Sequence, residues 1–171
     1  MKFLKALCLT IMLSAAALVS AQIKIPDTRV SFSFPNGGWK YLETTKISND
    51  VNVYLYSYAK TYVVDNAGDT VIPFLRIYVR KHFSGTVFDI AYSRFMAQPF
   101  QAFDEFPFST GGLGYTGAYS NEKDNKDYEF RMVYLIDGNT AIEMRLETTL
   151  DTYEKFEKEF TDITNTVKIS K

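Results

Sequence analysis

Three glycines in the segment TGGLGYTGAYSN, residues 110–121, have the spacing of a phosphate-binding turn. Gly112, Gly114 and Gly117 match G-x-G-x-x-G, in which the missing side chains let a dinucleotide pyrophosphate approach the backbone. That turn works only between a strand and a helix, because the helix N-terminus binds the phosphate. The residues after Gly117 predict a polar turn and a strand, with no helix start. We therefore interpret Gly111 and Gly112 as a loop, and Gly114 and Gly117 as the start of a strand that backbone or aromatic rings approach closely.

A second candidate for chemistry is the row Glu143, Arg145 and Glu147, which alternate along one predicted strand and therefore share a face. Paired carboxylates can act as general acid and base, and a hydrolase of this kind would hold one of them in a cleft with a raised pKa. We favour an ion-paired row at a partly covered face, since exposed strands commonly carry such pairs. If the turn at Gly138 has two residues, the same face also carries Phe130, Met132 and Tyr134.

The remaining polar groups form no recognisable catalytic or metal-binding pattern. His82 is the only histidine and has no triad or H-x-x-x-H partner, which is typical of a surface residue at a strand end. Asp65, Asn66, Asp69 and the turn EKDNKD offer oxygens for a cation, but neither segment matches a calcium loop. We predict no catalytic residue, no metal site and no cofactor.

Aromatic residues are the most distinctive feature of the chain. The predicted strand VNVYLYSY places Tyr54, Tyr56 and Tyr58 on one face, where they can stack on a sugar or contact a protein partner. Alternatively a helix covers this face and the rings belong to the core, with their hydroxyls at the rim. The segment FQAFDEFPF is predicted to be an irregular aromatic loop, in which Phe103 and Phe106 are further candidate contact residues.

The N-terminal residues predict export. Lys2 and Lys5 precede a short apolar run, and Val19-Ser20-Ala21 suits a signal peptidase, so residues 1–21 are predicted to be a secretory signal peptide. The apolar run is shorter than the ~20 residues of a spanning helix, so no membrane span is expected. Residues 22–171 then form one exported domain, periplasmic or extracellular, that lacks cysteine because Cys8 is removed.

The charge balance and the order of elements narrow the class of protein. Lys and Arg number 19 against 20 Asp and Glu, and loss of the two leader lysines shifts the balance by only two, so no nucleic acid is expected as a partner.

Strands dominate the first half of the chain. A helix follows in TVFDIAYSRFMA, where Thr86 and Asp89 suit a capping box and Phe88, Ala91, Tyr92 and Phe95 have helical spacing. Three strands and a final helix, DTYEKFEKEFTDIT, complete an α+β chain.

The segments VSFSFPNGGW, GYTGAY, YEFRMVYLIDGNTAIEMRLETT and YEKFEKEFTDITNTVKIS, taken in this order, resemble the PsbP/Mog-like superfamily. The resemblance covers nearly all of residues 22–171 and carries no catalytic signature. It implies an antiparallel β-sheet sandwiched by helices, an α/β/α arrangement, and a binding or accessory role. No functional residues transfer from it.

Together these observations predict an exported, non-enzymatic binding or accessory domain that engages a protein or an envelope component. Aromatic enrichment suits such an interface. The alternative is a binder of a small glycan or lipid in an aromatic-lined pocket between sheet and helix, and a carboxylate-dependent hydrolase is the less favoured third hypothesis. The predicted contact residues are Tyr54, Tyr56, Tyr58, Phe103 and Phe106.

Overall fold

A computed structural model describes residues 21–98 and 100–171, which form twelve strands and two α-helices. Apart from Ala21, the predicted signal peptide lies outside the described residues. In chain order the elements are β1 (Ile23–Lys24), β2 (Val30–Phe32), β3 (Trp39–Lys46), β4 (Val51–Tyr58), β5 (Val63–Val64), β6 (Thr70–Val71), β7 (Phe74–Arg80), α1 (Val87–Ala97), β8 (Ala102–Phe106), β9 (Leu113–Asn121), β10 (Lys126–Asp137), β11 (Thr140–Thr149), α2 (Tyr153–Asn165) and β12 (Lys168–Ile169).

The described residues build one large antiparallel sheet of seven strands in the order β3-β4-β7-β11-β10-β9-β8. Its centre is the hairpin of β10 and β11. Asp137 pairs with Thr140, which leaves Gly138 and Asn139 as a two-residue turn with Gly138 at φ 62°. Such turns favour glycine because they need positive φ. The register places Phe130, Met132 and Tyr134 opposite Glu147, Arg145 and Glu143, as the sequence predicts.

One face of this hairpin packs against helix α2. The apolar residues of α2 lie on one side of the helix and its charges on the other, so burial of that side orients it. Phe156, Phe160 and Ile163 meet the sheet together with Phe32 of the small sheet β1-β2-β12. The sheet residues of this core are Leu75, Ile77, Val79, Val133, Leu135, Ile142, Met144 and Leu146.

The alternate residues of the same hairpin pack against helix α1. Ile90 and Ala91 of α1 contact a second core that contains Phe130, Met132 and Tyr134. Because neighbouring residues of a strand point to opposite faces, α1 and α2 lie against opposite faces of β10. The predicted α+β class is confirmed. Within residues 21–98 and 100–171, neither helix has the length and apolar composition needed to cross a bilayer.

The prediction that FQAFDEFPF is an irregular loop is wrong. Ala102–Phe106 forms strand β8, which pairs with β9 from Ala102 opposite Ala118 to Phe106 opposite Gly114. Four strands therefore separate the two helices, one more than predicted. The strand forms because its aromatic residues pack on both sides of the sheet, which local residue preferences do not report.

Candidate functional site

The predicted row of charges on β11 is ion-paired, as predicted, but it is buried and not at a partly covered face. Glu147, 2% exposed, accepts hydrogen bonds from Arg145 at 2.6 Å and from the Tyr119 hydroxyl at 3.0 Å, and it also pairs with Arg76. Arg145 donates a further bond to Gln98 at 3.0 Å, and its guanidinium lies 4.7 Å from the centre of the Tyr119 ring. These contacts join β7, β9 and β11 to the C-terminal end of α1.

Glu143 has the two properties that the hydrolase hypothesis requires, a cleft and a raised pKa, but the cleft is small. Its Oε2 accepts two bonds from Arg94 of α1, at 2.9 and 3.0 Å. Its Oε1 has no hydrogen-bond partner among the described residues. Burial raises the pKa of Glu143, although the Arg94 charge opposes the shift. The adjacent cavity measures about 50 Å³, whereas small-molecule sites are roughly 300–1,000 Å³.

Two polar turns that are distant in the sequence meet at a larger cleft of about 540 Å³. Residues 65–69 form one side of it and residues 124–127 the other. The Lys126 ammonium lies between Asp65 and Asp69, at 2.6 and 2.7 Å, and these hydrogen bonds raise the pKa of Lys126. Lys126 thus supplies the cation that these oxygens attract. In the part of the chain that the structure describes, no three His, Cys, Asp or Glu side chains converge as a metal site.

The glycines of the G-x-G-x-x-G segment serve close packing. A Cβ on Gly112 would overlap the backbone oxygen of Tyr134, and a Cβ on Gly114 would lie 2.5 Å from the Phe106 ring. Gly114 and Gly117 both belong to β9, and that strand runs to Asn121, where a nucleotide site would need a helix. Gly111 and Gly112 precede β9 and Gly114 lies at its start, as predicted, whereas Gly117 lies in the middle of the strand. His82 is a surface residue, 74% exposed and 3.9 Å from Asp50.

The five predicted contact residues do not come together. Tyr54, Tyr56 and Tyr58 face the core beneath α2, where Tyr56 is 9% exposed and meets Phe32 edge to face. The other two tyrosines are half-buried at the edge of this core, and the Tyr58 ring contacts Phe156 of α2.

The two phenylalanines of β8 lie at the far end of the sheet and on opposite faces. Phe106 packs toward the α2 side, where the Arg131 guanidinium lies 3.5 Å from its ring centre. Phe103 packs toward α1, within 4.4 Å of the Tyr115 ring. Only Phe103 therefore adjoins the surface described next.

Helix α1 exposes an aromatic stripe to solvent. Phe88, Tyr92 and Met96 recur every four residues and therefore lie on one side of the helix, with 64%, 65% and 72% of their surface exposed. Ile90 and Ala91, by contrast, are buried. The sequence gives the helical spacing but not which side is covered, because α1 is apolar nearly all round and has only two charged residues.

The stripe borders a groove of about 340 Å³ between α1 and the sheet. We call this the α1 groove; its lining residues are Phe88, Asp89, Ala91, Tyr92, Phe95 and Tyr115. The floor of the groove is an aromatic cluster in which Phe95 contacts the rings of Phe100, Phe103 and Tyr115. Arg94 pairs with Glu143 of the sheet. The groove is thus an aromatic-lined surface.

The predicted capping box fixes the first turn of α1. Thr86 Oγ1 accepts a bond from the Asp89 amide at 3.4 Å, and the Asp89 carboxylate accepts from the Thr86 amide at 2.6 Å. We expect Thr86→Ala to lower the free energy of unfolding by about 1 kcal/mol, the usual cost of a lost threonine cap. Urea denaturation against the exposed neighbour variant Ser84→Ala measures it. Equal stability of the two variants would show that the box does not form in solution.

No family model and no curated protein matches the sequence. Solved structures do share its fold. LpqN of Mycobacterium tuberculosis, a protein involved in cell envelope biogenesis, superimposes with a TM-score of 0.54 at 10% identity, over 91% of this chain and 88% of LpqN. The cyanobacterial PsbP protein CyanoP, from Synechocystis sp. PCC 6803, gives 0.54 at 14% identity, over 91% of this chain and 96% of CyanoP. The chain has a PsbP-like fold.

A third solved structure also superimposes on this chain. A protein of Bacteroides thetaiotaomicron VPI-5482 superimposes with a TM-score of 0.54 at 13% identity, over 89% of this chain and 49% of that protein. This chain spans about half the length of that protein. The resemblance inferred from the sequence is confirmed at the level of the fold. Identities this low carry no residue role from one PsbP-like protein to another.

Proposed function

We propose that this PsbP-like chain is an exported, non-enzymatic binding domain and that the α1 groove is its contact surface for a protein of the envelope. The observation that carries the proposal is the exposed stripe of Phe88, Tyr92 and Met96. Large apolar side chains grouped on one exposed helix face mark interaction sites. Aromatic residues and methionine are also the types enriched at protein interfaces. The envelope role of LpqN supports the choice of partner class.

The proposal extends to the layers around the sheet. It includes the α/β/α arrangement implied by the resemblance, which the packing of helix α1 on one face and helix α2 on the other supports. Only the α1 layer leaves its outer side apolar, since the outer side of α2 carries Glu154, Lys155, Glu157 and Lys158. Binding through α1 therefore leaves the α2 side in solvent. The signal peptide predicted for residues 1–21 accounts for export.

Photo-cross-linking at Tyr92 tests the proposal. A benzophenone side chain in place of Tyr92 is expected to form a discrete protein adduct in a native envelope fraction, and Phe88→Ser is expected to abolish it. The same side chain in place of Tyr62, which is 89% exposed and lies in the loop between β4 and β5, is the control. Phe88→Ser should change the stability by no more than about 0.5 kcal/mol, because the side chain is mostly in solvent. Equal adducts from both positions, or an adduct that survives Phe88→Ser, would contradict the proposal.

A small glycan or lipid in the same groove is the second candidate. The groove volume of about 340 Å³ and its aromatic walls favour it. The cross-linking experiment separates the two, because a small ligand gives no protein adduct. In this proposal Phe103 supports the floor of the groove through its ring contacts with Phe95 and Tyr115. A binding role for Tyr54, Tyr56, Tyr58 and Phe106 stays a prediction.

A further inference from the structure

The charges on the elements that form the α1 groove are mostly negative. Helix α1 and strands β8 and β9 contain Asp89, Asp104 and Glu105 as acidic residues and Arg94 as their one basic residue, and Asp104 lies on the same face of β8 as Phe106, away from the groove. Arg94 is not free to meet a ligand, because its guanidinium donates two bonds to buried Glu143. The groove therefore presents carboxylates without a competing cation on its own elements.

Two of these carboxylates are placed to meet a ligand in the groove. Asp89 lines it directly and is exposed, and the Thr86 bonds are made to Oδ2. Those bonds lower the pKa of Asp89, so the carboxylate stays charged. Glu105 is exposed and pairs directly with Tyr115 across β8 and β9, so both side chains lie on the groove side of the sheet.

The apolar part of the groove also suits a cation. The rings of Phe88, Tyr92 and Tyr115 line it, and a lysine or arginine over an aromatic face gains electrostatic attraction as well as contact area. A ligand with apolar residues alone would leave the two carboxylates without a partner. A ligand that has both apolar residues and a lysine or arginine would contact the aromatic rings and also pair with the carboxylates of Asp89 and Glu105.

The same charges argue against two other occupants. In a symmetric dimer, a second copy of this chain would bring its own Asp89 and Glu105 toward this groove, and like charges that face each other across an interface oppose association. An anionic membrane surface attracts helices with lysine and arginine on the polar side, whereas exposed α1 carries a carboxylate. Charge complementarity thus selects a basic protein segment.

We infer that the α1 groove recognises an apolar peptide segment that carries lysine or arginine, with Asp89 and Glu105 as the residues that select the positive charge. This inference rests on the proposed function and names the chemistry of its partner. The volume of the groove, about 340 Å³, accommodates a few side chains, which one peptide segment can supply.

Three synthetic probes test the inference: a short amphipathic leucine–lysine peptide and its leucine–serine and leucine–glutamate counterparts. Fluorescence anisotropy gives the Kd, and amide NMR shifts locate the site. The lysine peptide should bind most tightly, shift the amides of α1, β8 and β9, and weaken as salt is added. Glu105→Gln should weaken it about two- to fivefold, as for an exposed charge pair. Glu122→Gln, in an exposed turn, is the matched control.

A double variant tests the contribution of the aromatic side chains of the groove. Phe88→Ser with Tyr92→Ser should weaken the lysine peptide at least about fivefold, since truncated aromatic contacts commonly cost more than 1 kcal/mol. If all three peptides bind the groove equally, the charge inference is overturned while the proposed contact surface stands. If none shifts the α1 amides, or if Glu105→Gln has no more effect than Glu122→Gln, the inference fails. The cross-linking at Tyr92 then judges the proposed function independently.

Discussion

Glu147→Ala is expected to lower the free energy of unfolding by about 3–5 kcal/mol, the cost of removing one partner of a buried ion pair. Glu147 is 2% exposed and accepts bonds from Arg145 and Tyr119 while it pairs with Arg76. Its removal leaves the Arg145 charge, which is almost as deeply buried, without a carboxylate. Arg76 is partly exposed and can turn toward water. The melting temperature should fall by roughly 10 °C for a chain of this size.

Urea and thermal unfolding measure the loss, with the exposed Glu122→Ala as the control. A double variant, Arg145→Met with Glu147→Leu, separates the charge effect from the lost volume. It should recover much of the stability, because apolar replacements of a buried pair are often neutral. If Glu147→Ala is as stable as the control, the ion-paired network does not exist in solution and the acid/base hypothesis for β11 would regain support.

Gly112→Ala is expected to cost about 3 kcal/mol, near the upper end of the usual cost of overpacking. Gly112 directly precedes β9, and an added Cβ would overlap the backbone oxygen of Tyr134, which lies in the centre of the sheet. A backbone atom held by strand pairing on both sides cannot move away without breaking hydrogen bonds. The loss should therefore appear as lower stability and as shifted amide resonances along β9 and β10.

Gly114→Ala is the matched comparison. Its Cβ would meet the ring of Phe106 at 2.5 Å, and Phe106 lies on the edge strand β8. A side chain on an edge strand can shift more easily than a central backbone oxygen, so the cost should be smaller. Equal losses in the two variants would contradict this account of Gly112. If a nucleotide stabilised the wild-type protein and Gly112→Ala removed that stabilisation, the result would support the phosphate-binding interpretation.

The sequence predicts closely those features of this protein that depend only on residues near each other in the chain. The capping box of Thr86 and Asp89 needs only residues that are three apart, and the turn at Gly138 needs only a residue that tolerates positive φ. Once that turn is fixed, the alternation along two strands sets the register. The pairing of Phe130, Met132 and Tyr134 with the Glu143–Glu147 row follows from it.

Tertiary structure decides which faces are covered and which distant segments meet. Strand β8 was missed because its aromatic residues are explained only by contacts with β9, α1 and Arg131. The tyrosines of β4 are an exposed ladder or a core depending on what lies over them, and the sequence left both open. Here α2 and β2 cover them. The turns around Asp65 and Lys126 meet although they are about sixty residues apart.

The candidate site is one of the features that depend on tertiary structure. The sequence by itself determined an α+β chain, a capped helix at residues 87–97 and a charged row on β11, because each follows from neighbouring residues and their spacing. Only the packing of the sheet decided that Ile90 and Ala91 turn inward, so that Phe88, Tyr92 and Met96 face solvent. A helix that is apolar on nearly every side has no preferred buried face of its own. The physical reason is that the surface it meets, and the Arg94–Glu143 pair that orients it, select that face.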